Sequence, residues 1–359
     1  HFSLRKEFER VSLPGRESSR MNQQPTISLN LMPAFYRKQL GLTYGEGYYF
    51  DPEYRARVEC AEAGFQYECW GRFGAGMAQP EPSAGLFIQP VDLIMRTQGA
   101  EWRMPEDATL ESWGKPWAGL TVEAIQKIDA RAAAAHPVID ALLVQYRQMQ
   151  KMYGERAGLF GLKDGVMGIH SPYTTALQLI GEDLFLMMED DPAGVKIIFD
   201  KVWGLYQAIY ARLQQATGAA INRIQIGDCS AAMLSESTYR ALVLPINRRL
   251  AASFESAGYH SCGLSDHLLN AFAEIPRVDT IELGAGTDLK LSVSKMPQVA
   301  LCPLVDPSVI RDKKPEDVSA LIGGMLKSAA GAKSITLCAW SFDRDTPIEN
   351  VTGIYETVA

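Results

Sequence analysis

The residues best suited to chemistry lie late in the chain. His260 and Cys262 are two apart in YHSCG (259–263), at the end of a short predicted strand. In extended backbone, residues i and i+2 point to the same side, so the imidazole and the thiolate can converge on one ion. Cys338 lies in SITLCAWSF (334–342), the last predicted strand. One nitrogen and two sulfurs suit zinc, at about 2.0–2.1 Å for Zn–N and about 2.3 Å for Zn–S; three protein ligands leave the open fourth position that a catalytic zinc needs. Asp228 closes INRIQIGD (221–228) and is a candidate fourth ligand, partner of the His260 ring or proton acceptor. A metal-bound imidazole normally donates its second N–H to a carboxylate or carbonyl. Glu282, in VDTIELG (278–284), and His170, after GVMGI (165–169), occupy comparable strand-end positions and complete the candidate catalytic set. The plainer reading has His260 capping a loop while the cysteines fill the core, since free Cys is among the most buried residue types.

Other reactive residue types read as structure. Cys229 and Cys302 fall near strand ends but outside the spacing above, and are read as core; His267 within a helix and His136 before Pro137 are read as structural. Arg96 is a candidate for holding an anionic substrate. The six cysteines are widely scattered in a chain of 359 residues, which is not the pattern of a small disulfide scaffold.

The elements that must position these residues alternate. Strands are predicted at 165–172 (ending in a turn), 221–228, into 259–263, at 278–284, 299–307 and 334–342. Helices are predicted at 121–153, 174–181, 191–218, 235–258 (bent near Pro245), 264–275 and 315–331, with Asp191 as N-cap and Pro192 at the first helical position. Repeated strand–helix units indicate a parallel sheet. No GxGxxG follows a first strand, so an α/β (β/α)8 TIM-type barrel fits better than a dinucleotide-binding open sheet. Barrel active sites sit at the C-terminal ends of the strands, and closure brings the last strand beside the first, so Cys338 can meet His260 and Cys262 across the mouth. The expectation is one barrel domain over 1–359. Residues 1–120, rich in Gly, Pro, Trp and Tyr, form an irregular N-terminal extension of loops and short elements capping the barrel, and 121–359 carry the regular units.

Composition excludes some functions. Hydrophobic residues make up 47% and charged residues 21%, which supports a packed core. The net charge of -7 and the lack of a long Lys/Arg run argue against nucleic acid as partner. No apolar run approaches the roughly 20 residues that span a bilayer. The first residues show no secretory signal, so the expected location is the cytoplasm.

Over roughly residues 150–345 the chain resembles the uroporphyrinogen decarboxylase superfamily, and most closely its branch of cobalamin-dependent methyltransferases. GIHSPYTTALQLIGEDLFLMMEDDP is similar to the family's Gly-x-x-x-Pro-(Trp/Tyr)-Thr segment and following helix. IQIGDCSAAMLSESTYRALVLP is similar to its Asp-containing strand, and HSCG, LLNAFAEI and LVDPSVI match further blocks. His-x-Cys followed 76 positions later by Cys is the zinc signature of the methyltransferase branch, and it falls on His260, Cys262 and Cys338. The Arg-rich N-terminal motif of the true decarboxylase is absent in recognisable form.

The resemblance implies methyl transfer between a substrate and the cobalt of a corrinoid (cobalamin). The corrinoid would be carried by a partner protein, because no Asp-x-His-x-x-Gly motif occurs here. Two directions follow: zinc as Lewis acid on a methyl ether, such as a methoxylated aromatic, in O-demethylation, or zinc presenting a thiolate of the coenzyme M type to methylcobalamin. The first is favoured by the N-terminal aromatics (Tyr44, Tyr48, Tyr49, Trp70, Phe73, Trp102, Trp113 and Trp117), which can line a ring-binding pocket or simply pack the barrel mouth. A metal-independent decarboxylase is the remaining alternative.

Overall fold

The computed structural model describes residues 24–82, 85–86, 88–159 and 162–359. The parallel strands of the barrel are, among the described residues, β1 (Thr26–Leu31), then, after a short β2 (Gly85–Leu86), β3 (Val166–His170), β4 (Arg223–Gly227), β5 (Ser256–Ser261), β6 (Val278–Leu283), β7 (Ala300–Pro303) and β8 (Thr336–Phe342). Ladder pairing runs without a break from β3 to β7. Bridges Leu301↔Ile335 and Leu304↔Cys338 carry it on to β8, which pairs in parallel with β1. The two-residue β2 pairs with a second short strand, Gly158–Leu159.

Alternation within each strand explains the layering. In β3 and β4 the buried positions are Met167, Ile169, Ile224 and Ile226. The intervening residues turn to the barrel axis. A Cβ at Gly258 would lie 1.8 Å from Gln225 Oε1 and 2.9 Å from an Arg223 guanidinium nitrogen, so polar side chains fill the lower interior. Above that filling, Cα register puts His170 opposite Gly227, Gly227 opposite His260, and His260 opposite Glu282. One layer near the C-terminal ends of the strands thus carries three of the residues singled out by type.

Helix boundaries follow local chemistry. Pro192–Thr217 starts where expected: Pro192 occupies the first position and Asp191 Oδ1 accepts from Gly194 N at 2.9 Å. Ser171 caps Pro172–Ile180 by accepting from Thr174 N at 3.0 Å. The segment 121–153 is three helices, Val122–Gln126, Ala130–Ala134 and Pro137–Tyr153, separated where capping residues Asp129 and His136 intervene. The segment 235–258 also differs from one bent helix. It is a short turn of helix, a π-turn at Tyr239–Val243, a helix at Leu244–Ala252, and then β5 from Ser256. Pro245 has no N–H to give, so the backbone ahead of it takes the wider i→i+5 pattern.

The N-terminal third holds more regular structure than loops and short elements. β1 is itself a barrel strand, and Pro52–Trp70 is a 19-residue helix whose buried residues, Arg55, Ala56, Val58 and Trp70, make no continuous apolar stripe. Trp70 donates from Nε1 to Thr352 Oγ1 at 2.9 Å, fastening that helix to the C-terminal helix Ile348–Val358. No helix among the described residues is long and apolar enough to cross a membrane.

Candidate metal centre at the barrel mouth

β5 delivers His260, and Cys262 follows one residue past its end. The ligand atoms of Cys229, His260 and Cys262 lie within 4.8 Å of one another. Cys229 comes from the turn two residues after β4, folded back so that Cys262 Sγ sits 3.7 Å from its carbonyl oxygen. Close backbone approach makes the arrangement possible. A Cβ at Gly284 would fall 2.3 Å from Cys262 O and 2.4 Å from Gly263 O, so only glycine lets the end of β6 lie against the Cys262 segment.

Two groups orient the imidazole. His260 Nδ1 donates to Glu282 Oε2 at 2.8 Å, which fixes the ring and leaves Nε2 for Cys262 or, once deprotonated, for a metal. The Trp340 ring stacks over His260 at 6.4 Å between centroids and 24° between planes, and its Nε1 donates to Ser28 Oγ at 2.9 Å. Glu282 thus stands where a carboxylate partner of a ligating histidine belongs. Sequence spacing gives no sign of Trp340, although it sits two residues after Cys338 on the same strand face.

The electrostatics favour a thiolate. The hydrogen bond from the Cys229 thiol and the one from His260 hold the Cys262 thiol down to about 4. The Cys229 thiol, which gives its hydrogen bond to Cys262 and is largely buried, moves well above the usual thiol range. Burial opposes charge on His260, but its hydrogen bonds to Cys262 and Glu282 prevail and raise it to about 9. His170 goes the other way: burial, then the charge of His260, lowers it to about 4, so a neutral imidazole borders the cluster.

Cys338 stands apart from the three gathered residues. It is buried, pairs in register with Ser28, and has its Sγ 3.9 Å from Thr336 O. Its thiol hydrogen-bonds to Cys302, which pairs in register with Glu282. Spacing therefore pointed to Cys338, while folding brings Cys229, read from sequence as core, nearer to His260 and Cys262. The one signal for Cys229 was its position directly after the strand-end Asp228.

Asp228 does not face the cluster. Its carboxylate is fully buried behind β4, where Ser171 Oγ and Thr174 Oγ1 donate to Oδ1 at 2.7 and 2.9 Å, and Tyr259 OH and Asn247 Nδ2 donate to Oδ2 at 2.8 and 2.9 Å. Burial pushes this carboxyl up while the four donors pull it down. The roles of ligand and of proton acceptor at the metal give way to a brace: alternation ends with the strand, and the chain turns Asp228 outward. Its backbone N–H donates to His260 O at 2.7 Å, so one residue ties the Cys229 turn to both Tyr259 and His260.

Other candidates settle as structure. His267 Nε2 lies 2.9 Å from Leu234 O, and His136 Nδ1 accepts from Val138 N at 3.1 Å as a helix cap. Of the N-terminal aromatics, Tyr44, Tyr49, Trp70 and Trp117 are buried in the core, and Trp113 is exposed beneath the Arg103 guanidinium.

Comparison with known proteins supplies the remaining observations. Residues 105–359 match the family described as uroporphyrinogen decarboxylase (URO-D). Over 101 residues the chain is 34% identical to the methylated-thiol–coenzyme M methyltransferase of Methanosarcina mazei, a match that spans 28% of this chain and 27% of that one. The chain thus aligns with about a quarter of the length of this curated relative. A solved methyltransferase structure from Methanosarcina mazei superposes with a TM-score of 0.64 at 16% identity, covering 94% of each chain; at that identity the likeness speaks to the fold.

Proposed function

The chain belongs to the uroporphyrinogen decarboxylase family, and from that footing we propose that it is a zinc-dependent, corrinoid-linked methyltransferase built as a single barrel domain and working in the cytoplasm. The observation that carries the reading is the convergence of His260 and Cys262 at the mouth, with Glu282 behind the imidazole. Nitrogen and thiolate donors on a carboxylate-oriented histidine fit zinc and do not fit magnesium or calcium, which take oxygen ligands. His260 and Cys262 would hold the ion with Cys338 as third ligand. Cys229 is the rival third ligand, favoured by its proximity.

Bound there, zinc would stabilise a thiolate or the oxygen leaving from a methyl ether. The chain's own residues supply the setting. Glu282 holds the His260 ring in one tautomer, His170 offers a neutral imidazole beside the thiolate, and Trp340 walls the layer on the β8 side. The reaction proposed is transfer of a methyl group between a methylated substrate, a methyl ether by preference, and the cobalt of a corrinoid carried by a partner protein. The partial match to a methylated-thiol methyltransferase supports a second reading, with a thiol of the coenzyme M type as acceptor.

The test is zinc analysis of the purified protein together with methyl-transfer assays using cob(I)alamin plus an aryl methyl ether, and methylcobalamin plus a thiol. Bound zinc with activity in the first assay supports the demethylase reading, and activity only in the second supports the thiol reading. A well-folded sample that takes up no zinc from excess metal overturns both.

A further inference from the structure

Away from the metal centre the N-terminal third encloses an open cleft of about 840 Å³ whose lining includes Phe50, Arg96, Trp102 and His136. It shares no lining residue with the Cys229–His260–Cys262 cluster. Its floor is aromatic: the Phe50 and Trp102 rings lie 6.4 Å apart between centroids with 31° between their planes. Trp102 is held in place by its Nε1, which donates to Asp92 O at 3.1 Å.

Hydrogen-bond donors stand beside that floor. The Arg96 guanidinium stands 6.0 Å over the Trp102 ring and donates from Nη1 to Ala100 O at 3.0 Å. That bond uses one of the five N–H donors of the guanidinium, and four remain beside it. His136 uses Nδ1 to accept from Val138 N, which makes Nε2–H a second donor. His136 is also the N-cap of the 17-residue helix Pro137–Tyr153, and the first residues of that helix line the cleft, adding the positive end of its dipole. Two acids, Glu46 and Glu101, also line the cleft, and both are exposed.

We infer that this cleft is a second ligand site, for a planar aromatic carboxylate: the ring would lie against Trp102 and Phe50, and the carboxylate would take the fork of Arg96 and the Nε2–H of His136. A guanidinium fork matches a carboxylate in geometry as well as charge. An aliphatic acid would forgo the stacking, and a neutral aromatic would leave the two donors unmet. The site stands independently of the zinc reading.

The experiment is titration of the full chain with benzoate, followed by Trp fluorescence and calorimetry, with benzamide as the uncharged isostere and acetate as the ringless acid. Saturable benzoate binding is expected, at least tenfold tighter than benzamide or acetate. It should weaken at least tenfold in Arg96→Gln and persist in Cys262→Ser. Because Arg96→Gln could disturb the local fold, Glu101→Gln serves as the second variant; removing a rim acid should tighten benzoate severalfold. Absence of saturable binding, equal affinity for benzamide, or binding that Cys262→Ser abolishes while Arg96→Gln spares it would each overturn the assignment.

Discussion

The barrel mouth holds two pairs of touching thiols, and they differ in what stands behind them. Cys229 and Cys262 both lie just past strand ends, in turns, with His260 beside them and Glu282 behind it. Cys302 and Cys338 lie within β7 and β8, where the sheet buries both and Cys338 itself bridges Leu304. In both pairs one thiol donates and the acceptor is held down, Cys262 to about 4 in the first and Cys302 below its ordinary value in the second. Only the first pair has an imidazole to share the charge. A thiol neighbour alone makes a hydrogen bond; a thiol neighbour plus an oriented imidazole at an exposed strand end makes a candidate metal centre.

The sharpest way to break this contrast is Cys262→Ser. It should lower zinc affinity by about two orders of magnitude or more and abolish methyl transfer, as read by chelator competition and assay. Retained zinc would refute the centre. Next come the two candidate third ligands. Cys338→Ser is expected to cost about tenfold or more in zinc affinity while Cys229→Ser keeps a loaded protein. The opposite outcome would make the turn pair the ligand pair and leave Cys338 as core. Glu282→Gln should cost about tenfold to a hundredfold, the usual range for the partner of a ligating histidine. Unchanged affinity would show that Glu282 does not orient His260.

The gentlest test compares the pairs directly. After zinc is stripped with a chelator, Cys262 should alkylate faster than Cys302 or Cys338 at pH 7, as mapped by mass spectrometry. Thiolate is the reactive form, and the folded pKa of about 4 lies below that of a free thiol. Cys262 reactivity should therefore persist as pH falls to 5 and drop only as pH passes through about 4. Loss of reactivity already near pH 8 would remove the His260–Cys262 ion pair from the account.

Much of this was legible before folding. The alternation of apolar strands with capped helices gave the barrel, and the strand-end rule led to His260, Cys262 and Glu282. The unread parts share a physical cause: they depend on partners distant in sequence. β1 carries a strand signal in the strict polar–apolar alternation of TISLNL, but six residues do not say that its partner is β8. Cys229 joins the cluster only because a turn folds back, and strand alternation makes no statement about the residue after a strand ends. Asp228 shows the same limit from the other side. Its type suited catalysis, but its direction was set by Ser171, Thr174, Asn247 and Tyr259, four donors from three elements that no local pattern links.

The seam where β8 meets β1 has a consequence for biosynthesis. Thr26 and Thr336 hydroxyls bond across it over a sequence separation of 310 residues, and the same seam holds Cys338 beside Ser28 and lets Trp340 reach Ser28 Oγ. A contact so distant along the chain forms late, since a long loop must close before the contact repays its entropy. A ribosome delivers Ser28 312 residues ahead of Trp340. The wall of the mouth that Trp340 forms therefore stays open until both sides of the seam have been made.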